Sequence, residues 1–542
     1  MNANTDQRLP LRATFAEGAP GAWEHALALA ILFALCAFPS LYHGIARDVL
    51  ANSDMDLVSV YQALLINAGQ PLVPNAHTGY VYFLSLAGWF QVFDWLGMVS
   101  VHDMNGLLAA TNFDTTYGAL VIAGRWFSVV QAWILVGLVY GSISILLKKQ
   151  SWGWWASLLL GAVFAIGGGG IAAQSVMLRT ELSSMILIFA AALALMAAPR
   201  ATLRRGCWLL GLSGFLIHAA LMVKIQNVIV IIFLPLLPLV FGWWERRDLT
   251  KMPPQKLMWT VPVVAVILAA PVAVVFTGNL APGSHGLYQG LIAIFVISCA
   301  LIFGRWHLGA ARYGVVGLGA VAIGFSLAYG LSFFNDNWWT TFSVVNFLEQ
   351  MSLYSPAPAK AAASPDGGGA IANVARSIAS GFSMTEVIRF VTERLRNFDY
   401  PFAIFYILVP AGAFVLALQG KWEAATKAGF LCLMAGMIVA IFWVGRGFFN
   451  FYYSVYVETW VILAAAIVLR ELAQMIAPWP RHWLRAGQAG MLILILAVVT
   501  VNVRFRLLDP AAANPIVAKS SCFIRGLTPL FYTNFDNYCA KG

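Results

Sequence analysis

The chain has 542 residues, of which 60% are hydrophobic and only 10% charged, with 20 Trp and 36 Phe. That balance lies far outside the soluble globular range and reads as an all-α polytopic membrane protein. The net charge of +10 would suit nucleic acid, but Lys and Arg fall at the ends of apolar runs, so the charge is a topology signal and no nucleic-acid partner is expected.

Residues 1–22 hold Arg8, Pro10, Arg12 and Pro20 without an apolar core and read as a cytoplasmic N-terminal segment. The apolar run after them has no small-residue cleavage site, so it is expected to stay as an anchor. Crossing roughly 30 Å of hydrocarbon takes about 20 residues. That length places spans near 23–43, 119–147, 153–173, 182–198, 206–223, 225–242, 257–277, 288–304, 313–334, 401–419, 427–444, 453–472 and 487–503. The sum is about 13 transmembrane helices. With the N-terminus cytoplasmic, Lys148, Lys149, Arg200, Arg204, Arg205, Arg246, Arg247, Lys251, Arg305, Arg312, Lys421, Lys427, Arg481 and Arg485 all fall on one side. That is what the positive-inside rule asks.

The run "TGYVYFLSLAGWFQVFDWLG" has the look of a span, but counting it would move Lys148 and Lys149 to the outside. It is therefore read as one of two interfacial helices, 57–68 and 79–97, in a long external loop from 44 to 118. Tyr80, Tyr82, Trp89 and Trp95 suit that depth, because their rings are amphipathic. The resulting organisation is a transmembrane core over 23–334, an external loop at 335–399, C-terminal spans over 400–503 and an external tail at 504–542. The loop carries the linker-like stretch "PAPAKAAASPDGGG". The tail holds Cys522 and Cys539, whose compartment permits a disulfide without requiring one, while Cys36, Cys207, Cys299 and Cys432 read as packing residues.

"GGGG" at 167–170 lies in an apolar helix with no Lys-Ser or Lys-Thr after it, so helix packing is the better reading than phosphate binding. Any chemistry should then draw its energy from an activated substrate. The first external loop opens on "NSDMD", placing the carboxylates Asp54 and Asp56 beside the membrane surface. They serve equally as helix caps for a helix beginning near Leu57 or as acid-base groups.

The text "SDMDLVSVYQALLINAGQPLVPNAHTGYVYFL" resembles the first loop of GT-C glycosyltransferases, in particular the protein mannosyltransferase and lipid A aminoarabinose transferase group. In that group an acidic motif is followed by a helix ending in Gly, then Pro, then a short basic or polar motif. His77 stands where the family often has Lys. "AGRWF" at 123–127, "MLRTELS" at 177–183 and "MVKIQN" at 222–227 resemble the family's Arg entry to the next span, its external Arg and acid, and its Lys-containing hinge. The likeness covers residues 20–245, and the two acids are spaced one residue wider than usual.

The resemblance implies a GT-C type bundle in a bacterial inner membrane with its active site facing the periplasm. It implies inverting transfer of a sugar from a polyprenyl-phosphate (undecaprenyl-type) donor to a glycolipid, polysaccharide or protein acceptor. Asp54 or Asp56 would be the general base. His77, Arg125, Arg179, Glu181, Lys224, Arg446, Tyr452 and Tyr453 would contact substrate or phosphate. The resembled group includes members that do without a metal, while the spaced acids invite a divalent cation held by Asp54, Asp56, His102 and Asp103, so both alternatives stand. Charges at span ends can equally be anchors, and Lys224 can snorkel. Two rivals stand beside the transferase: a transporter or flippase of a lipid-linked glycan, and an O-antigen ligase or polymerase using Arg376, Arg389, Arg394 and Arg396 of the later loop.

Overall fold

The structure is a computed structural model that describes residues 21–45, 53–73, 79–148, 150, 152–243, 285–308, 311–331, 400–446 and 451–476, with Gly490 and Leu530. The described residues are all-helical and contain no strand. Five helices among them are long and apolar enough to cross a membrane: Ala22–Tyr42, Phe113–Leu147, Thr180–Arg200, Leu203–Val223 and Trp422–Val439. Shorter apolar helices, among them Gly290–Phe303, Val315–Ala328 and Ile404–Leu418, pack with them. The protein is a helical membrane protein. The expected spans at 257–277 and 487–503 lie outside the described residues, save Gly490, as do the loop at 335–399 and both tail cysteines.

In chain order the helices are α1 (Ala22–Pro39), α2 (Ser53–Asn67), α3 (Tyr80–Trp95), α4 (Met104–Leu108), α5 (Phe113–Leu147), α6 (Gly153–Ala162), α7 (Gly169–Gln174) and α8 (Thr180–Ala197). They continue as α9 (Leu203–Val223), α10 (Asn227–Ile231), α11 (Leu236–Trp243), α12 (His285–Leu308), α13 (Ala311–Gly330), α14 (Tyr400–Leu418), α15 (Trp422–Arg446) and α16 (Val455–Ile476).

The longest helix organises the rest. α5 has 35 residues, and at 1.5 Å per residue it is about 52 Å long, well beyond the roughly 30 Å of hydrocarbon. It starts at Phe113, earlier than its apolar run, because Asn112 accepts from the Thr115 N–H at 3.2 Å and caps it. Its Ala132–Leu147 half joins the large core formed with α1, α6, α8, α9 and α16. Its Tyr117–Ala123 half belongs to a second core, with α2, α3 and α4. That second core, here called the head, also takes in Leu178 and Val223 from the ends of the bundle.

Several expectations shift. α2 begins at Ser53 rather than near Leu57, so Asp56 lies inside its first turn instead of preceding it. The helix ends at Gly69, whose φ of +66° only glycine adopts without strain, with Gln70 N–H bonded to Leu65 O at 2.9 Å. Tyr80 and Tyr82 are buried within the protein, and only Trp95 of the four loop aromatics is strongly exposed. The expected continuous span 153–173 is broken: α6 passes through a π turn at Val163–Gly167, Gly168 is extended, and α7 restarts at Gly169. The glycine run therefore marks a helix break, and it also packs closely: a Cβ on Gly170 would clash with Val455 N. The segment 225–242 is likewise two short helices, α10 and α11, joined by turns.

Candidate functional site

Two buried charge clusters meet at the segment joining α7 to α8. The first forms around Asp56, which is completely buried. Its Oδ2 accepts from Arg125 Nε and Nη2, each at 3.1 Å, and its Oδ1 accepts from the Leu178 N–H at 2.7 Å. Arg125 Nη1 also donates to Ile45 O at 3.2 Å. Such forked pairing satisfies two donors of the guanidinium in one plane. The neighbouring Gly124 packs against the Leu178 side chain, whose Cδ1 a Cβ there would approach to 2.8 Å. Asp56 thus ties the head, α5 and the α7–α8 connection together.

The second cluster follows directly along the chain. Arg179 precedes α8, and Glu181 sits in its first turn, where a carboxylate meets the positive end of the helix dipole. Glu181 Oε1 accepts from Lys224 Nζ, and Oε2 lies 3.5 Å from Arg179 Nε. Lys224 ends α9 in an extended conformation, φ −158° and ψ 120°, so its ammonium lies at a helix C-terminus, the end that favours cations. Asn227 holds the interruption by donating to Ala220 O at 2.6 Å and to Ser184 Oγ at 3.0 Å. The Lys224 ammonium also faces the Tyr453 ring, 4.7 Å from its centroid, a cation–π distance. Tyr453 is buried in the short 3-10 turn Phe451–Ser454 that leads into α16.

Tyr82 lies between the clusters. Burial, followed by the Asp56 carboxylate, pushes its phenol well above the ordinary value, with the Glu181 charge adding to this. It is therefore a neutral hydroxyl in a polar seam that includes Ser59 and Ser128, both themselves buried.

Of the residues singled out in the sequence, the structure brings Asp56 to Arg125, and Arg179, Glu181, Lys224 and Tyr453 to one another. The side chains of Asp54, Arg446 and Tyr452, all of His77, and Arg376, Arg389, Arg394 and Arg396 lie outside the described residues. His102 and Asp103 belong to a different, surface-lying set: His102 Nδ1 is 2.8 Å from Asp94 Oδ2, and Asp103 caps α4 by accepting from the Gly106 N–H at 2.7 Å. No group of three or more His, Cys, Asp or Glu side chains suited to a metal forms among the described residues.

Sequence reasoning passed over Glu458. It is fully buried in the first turn of α16 and accepts from the Gly170 N–H through both oxygens, at 3.3 and 3.2 Å. The signal was present, since an acid in "SVYVETWVIL" is costly in an apolar setting and demands a partner. Chemically, the second cluster gathers two cations around one buried carboxylate, whereas in the first both Asp56 oxygens accept from Arg125 or Leu178. No family model matches the chain, and no curated protein matches it.

Proposed function

We propose that the protein is a GT-C type glycosyltransferase of a bacterial inner membrane, with about 13 spans and a cytoplasmic N-terminus. It moves a sugar from a polyprenyl-phosphate donor to an acceptor hydroxyl at the periplasmic face. The observation that carries this reading is the junction at 178–181: one short segment binds the first-loop acid Asp56 through the Leu178 N–H and, three residues on, offers Glu181 to Lys224. Asp56 thereby anchors the start of α2, which also carries Asp54, to the segment that bears the basic cluster, and this supports transfer from a phosphate leaving group.

In the reaction the acceptor oxygen attacks the anomeric carbon, its proton passes to a carboxylate, and the carbon–oxygen bond to phosphate breaks with the electron pair leaving on the phosphate. Configuration inverts. Asp54 is the base in this scheme, because both oxygens of Asp56 are already engaged by Arg125 and Leu178. Arg179 and Lys224 balance the charge that develops on the phosphate oxygens.

The test is transfer of labelled sugar from a polyprenyl-phosphate pool to membrane acceptors, comparing wild type with Asp54→Asn at matched expression. Loss of transfer by about 10²- to 10⁴-fold in a folded variant is expected for a general base. Undiminished transfer would remove Asp54 from the mechanism.

A flippase for a lipid-linked glycan is the second reading, favoured by one feature: helix interruptions at Gly168 and Lys224 beside the buried Glu458 and Glu181. Broken helices with ionisable groups mark transport paths. Wild-type protein that moves lipid-linked glycan across vesicles but transfers no sugar would favour it.

A further inference from the structure

Glu458 is a fully buried acid to which the transferase chemistry above gives no role. Its carboxylate spans from the head of α16 to the chain break between α6 and α7. A Cβ on Gly168 would stand 2.7 Å from Glu458 Oε2, and one on Gly170 would stand 2.8 Å from Val455 Cα. Glycine at both positions thus lets the break close onto the first turn of α16. The Gly170 N–H, released from helix pairing by the break, then finds its acceptor in Glu458. Five residues before Glu458, in the 3-10 turn continuous with α16, Tyr453 lies against the Lys224 ammonium at 4.7 Å.

We propose that Glu458 is a positioning residue: by clamping the Gly168–Gly170 break to the head of α16 it sets Tyr453 over Lys224 and so fixes how far that ammonium is covered. Its relevance to sugar transfer rests on the function proposed above, while the clamp itself does not. The bonds that define the clamp run from the Gly170 N–H to the two Glu458 oxygens, and the route from there to the Lys224 ammonium passes through Tyr453.

The experiment reads Lys224 directly and needs no substrate. The full-length protein in detergent is treated with a water-soluble amine-reactive ester, and the rate of Lys224 modification is followed by peptide mass spectrometry. Wild type is compared with Glu458→Ala, Glu458→Gln and Glu458→Asp, with thermal unfolding as the check on folding. A several-fold faster modification is expected in Glu458→Ala, because loss of the clamp frees the Tyr453 turn. Glu458→Gln should restore the wild-type rate, since its amide oxygen still accepts from Gly170. If Glu458→Ala does not fold, Glu458→Asp, one methylene shorter, decides with an intermediate rate. An unchanged rate in a folded Ala or Asp variant overturns the proposal, as does a Gln variant that behaves like Ala. Sugar transfer by the same proteins separates the two readings. Faster Lys224 modification with no transfer by wild type leaves the clamp standing and removes the transferase; transfer with unchanged modification does the reverse.

Discussion

The head and the α7–α8 seam are built from the same ingredients, a buried carboxylate and a cation, and put them to different ends. In the head, Asp56 and Arg125 are 0% and 1% exposed, and each Asp56 oxygen has a donor. In the seam, Glu181 is 0% exposed, but its two cations, Lys224 and Arg179, are 8% and 13% exposed. A saturated, neutral pair fixes geometry and has nothing left to offer a ligand. A cluster whose cations keep some exposure, as Lys224 and Arg179 do, is the better candidate to meet a ligand. Counting charge and access, rather than the mere presence of ionisable groups, separates scaffold from site.

The sharpest way to break this contrast is to remove one member of the closed pair. Arg125→Leu leaves the Asp56 carboxylate buried without its partner, and the expected loss is about 3–5 kcal/mol of stability, read as a lower thermal midpoint in detergent. Asp56→Leu combined with Arg125→Leu should recover most of that loss, since replacing a whole buried pair by apolar groups is often neutral. A single variant as stable as wild type would show that the apolar contacts of Leu120, Val121, Phe90 and their neighbours hold the head without the pair.

What could be read from the sequence follows from the range of the forces involved. α1, α5, α8 and α9 stand close to their expected positions because long apolar runs report burial locally. The break at Gly168 was hidden, because hydropathy is continuous across it and the hydrogen bond that stabilises it comes from the distant Glu458; the interruption at Lys224 was legible, as the gap between the spans 206–223 and 225–242 and as a Lys-containing hinge. Arg179, Glu181 and Lys224 carried a local signal as charges beside apolar runs. Their partnerships did not, since 43 residues separate Glu181 from Lys224 and 69 separate Asp56 from Arg125. Tyr80 and Tyr82 suited an interface by type, yet pack inward because the head supplies a core of its own for α3 to cover.

The seam is expected to tolerate substitution better than the head. Lys224→Gln removes one of Glu181's two cations but leaves Arg179 beside it, so the loss should be about 1–3 kcal/mol, below that of Arg125→Leu. If Lys224 serves an anion, the same variant should bind a short-chain polyprenyl phosphate about tenfold more weakly, equivalent to about 1.4 kcal/mol, by titration calorimetry. Arg125→Leu protein that still folds should bind it as wild type does. The opposite pattern would exchange the roles assigned to the two clusters.

The smallest effect should come from the surface set at the far end of α3. The His102 and Asp94 side chains are 36% and 33% exposed, so their contact is screened by solvent and worth about 1 kcal/mol or less. The connection they mark is made more firmly by Asn67, whose amide donates to His102 O at 2.7 Å and Ala87 O at 3.0 Å while its oxygen accepts from Gln91 at 2.7 Å. Those bonds join the end of α2 to α3 and to the entry of α4, and two of them go to backbone carbonyls that His102→Ala leaves in place. Asn67→Ala should therefore lower the unfolding midpoint more than His102→Ala. If the histidine variant is the weaker of the two, the head is held at this edge by charge, and the distinction between its closed interior pair and its solvated rim does not hold.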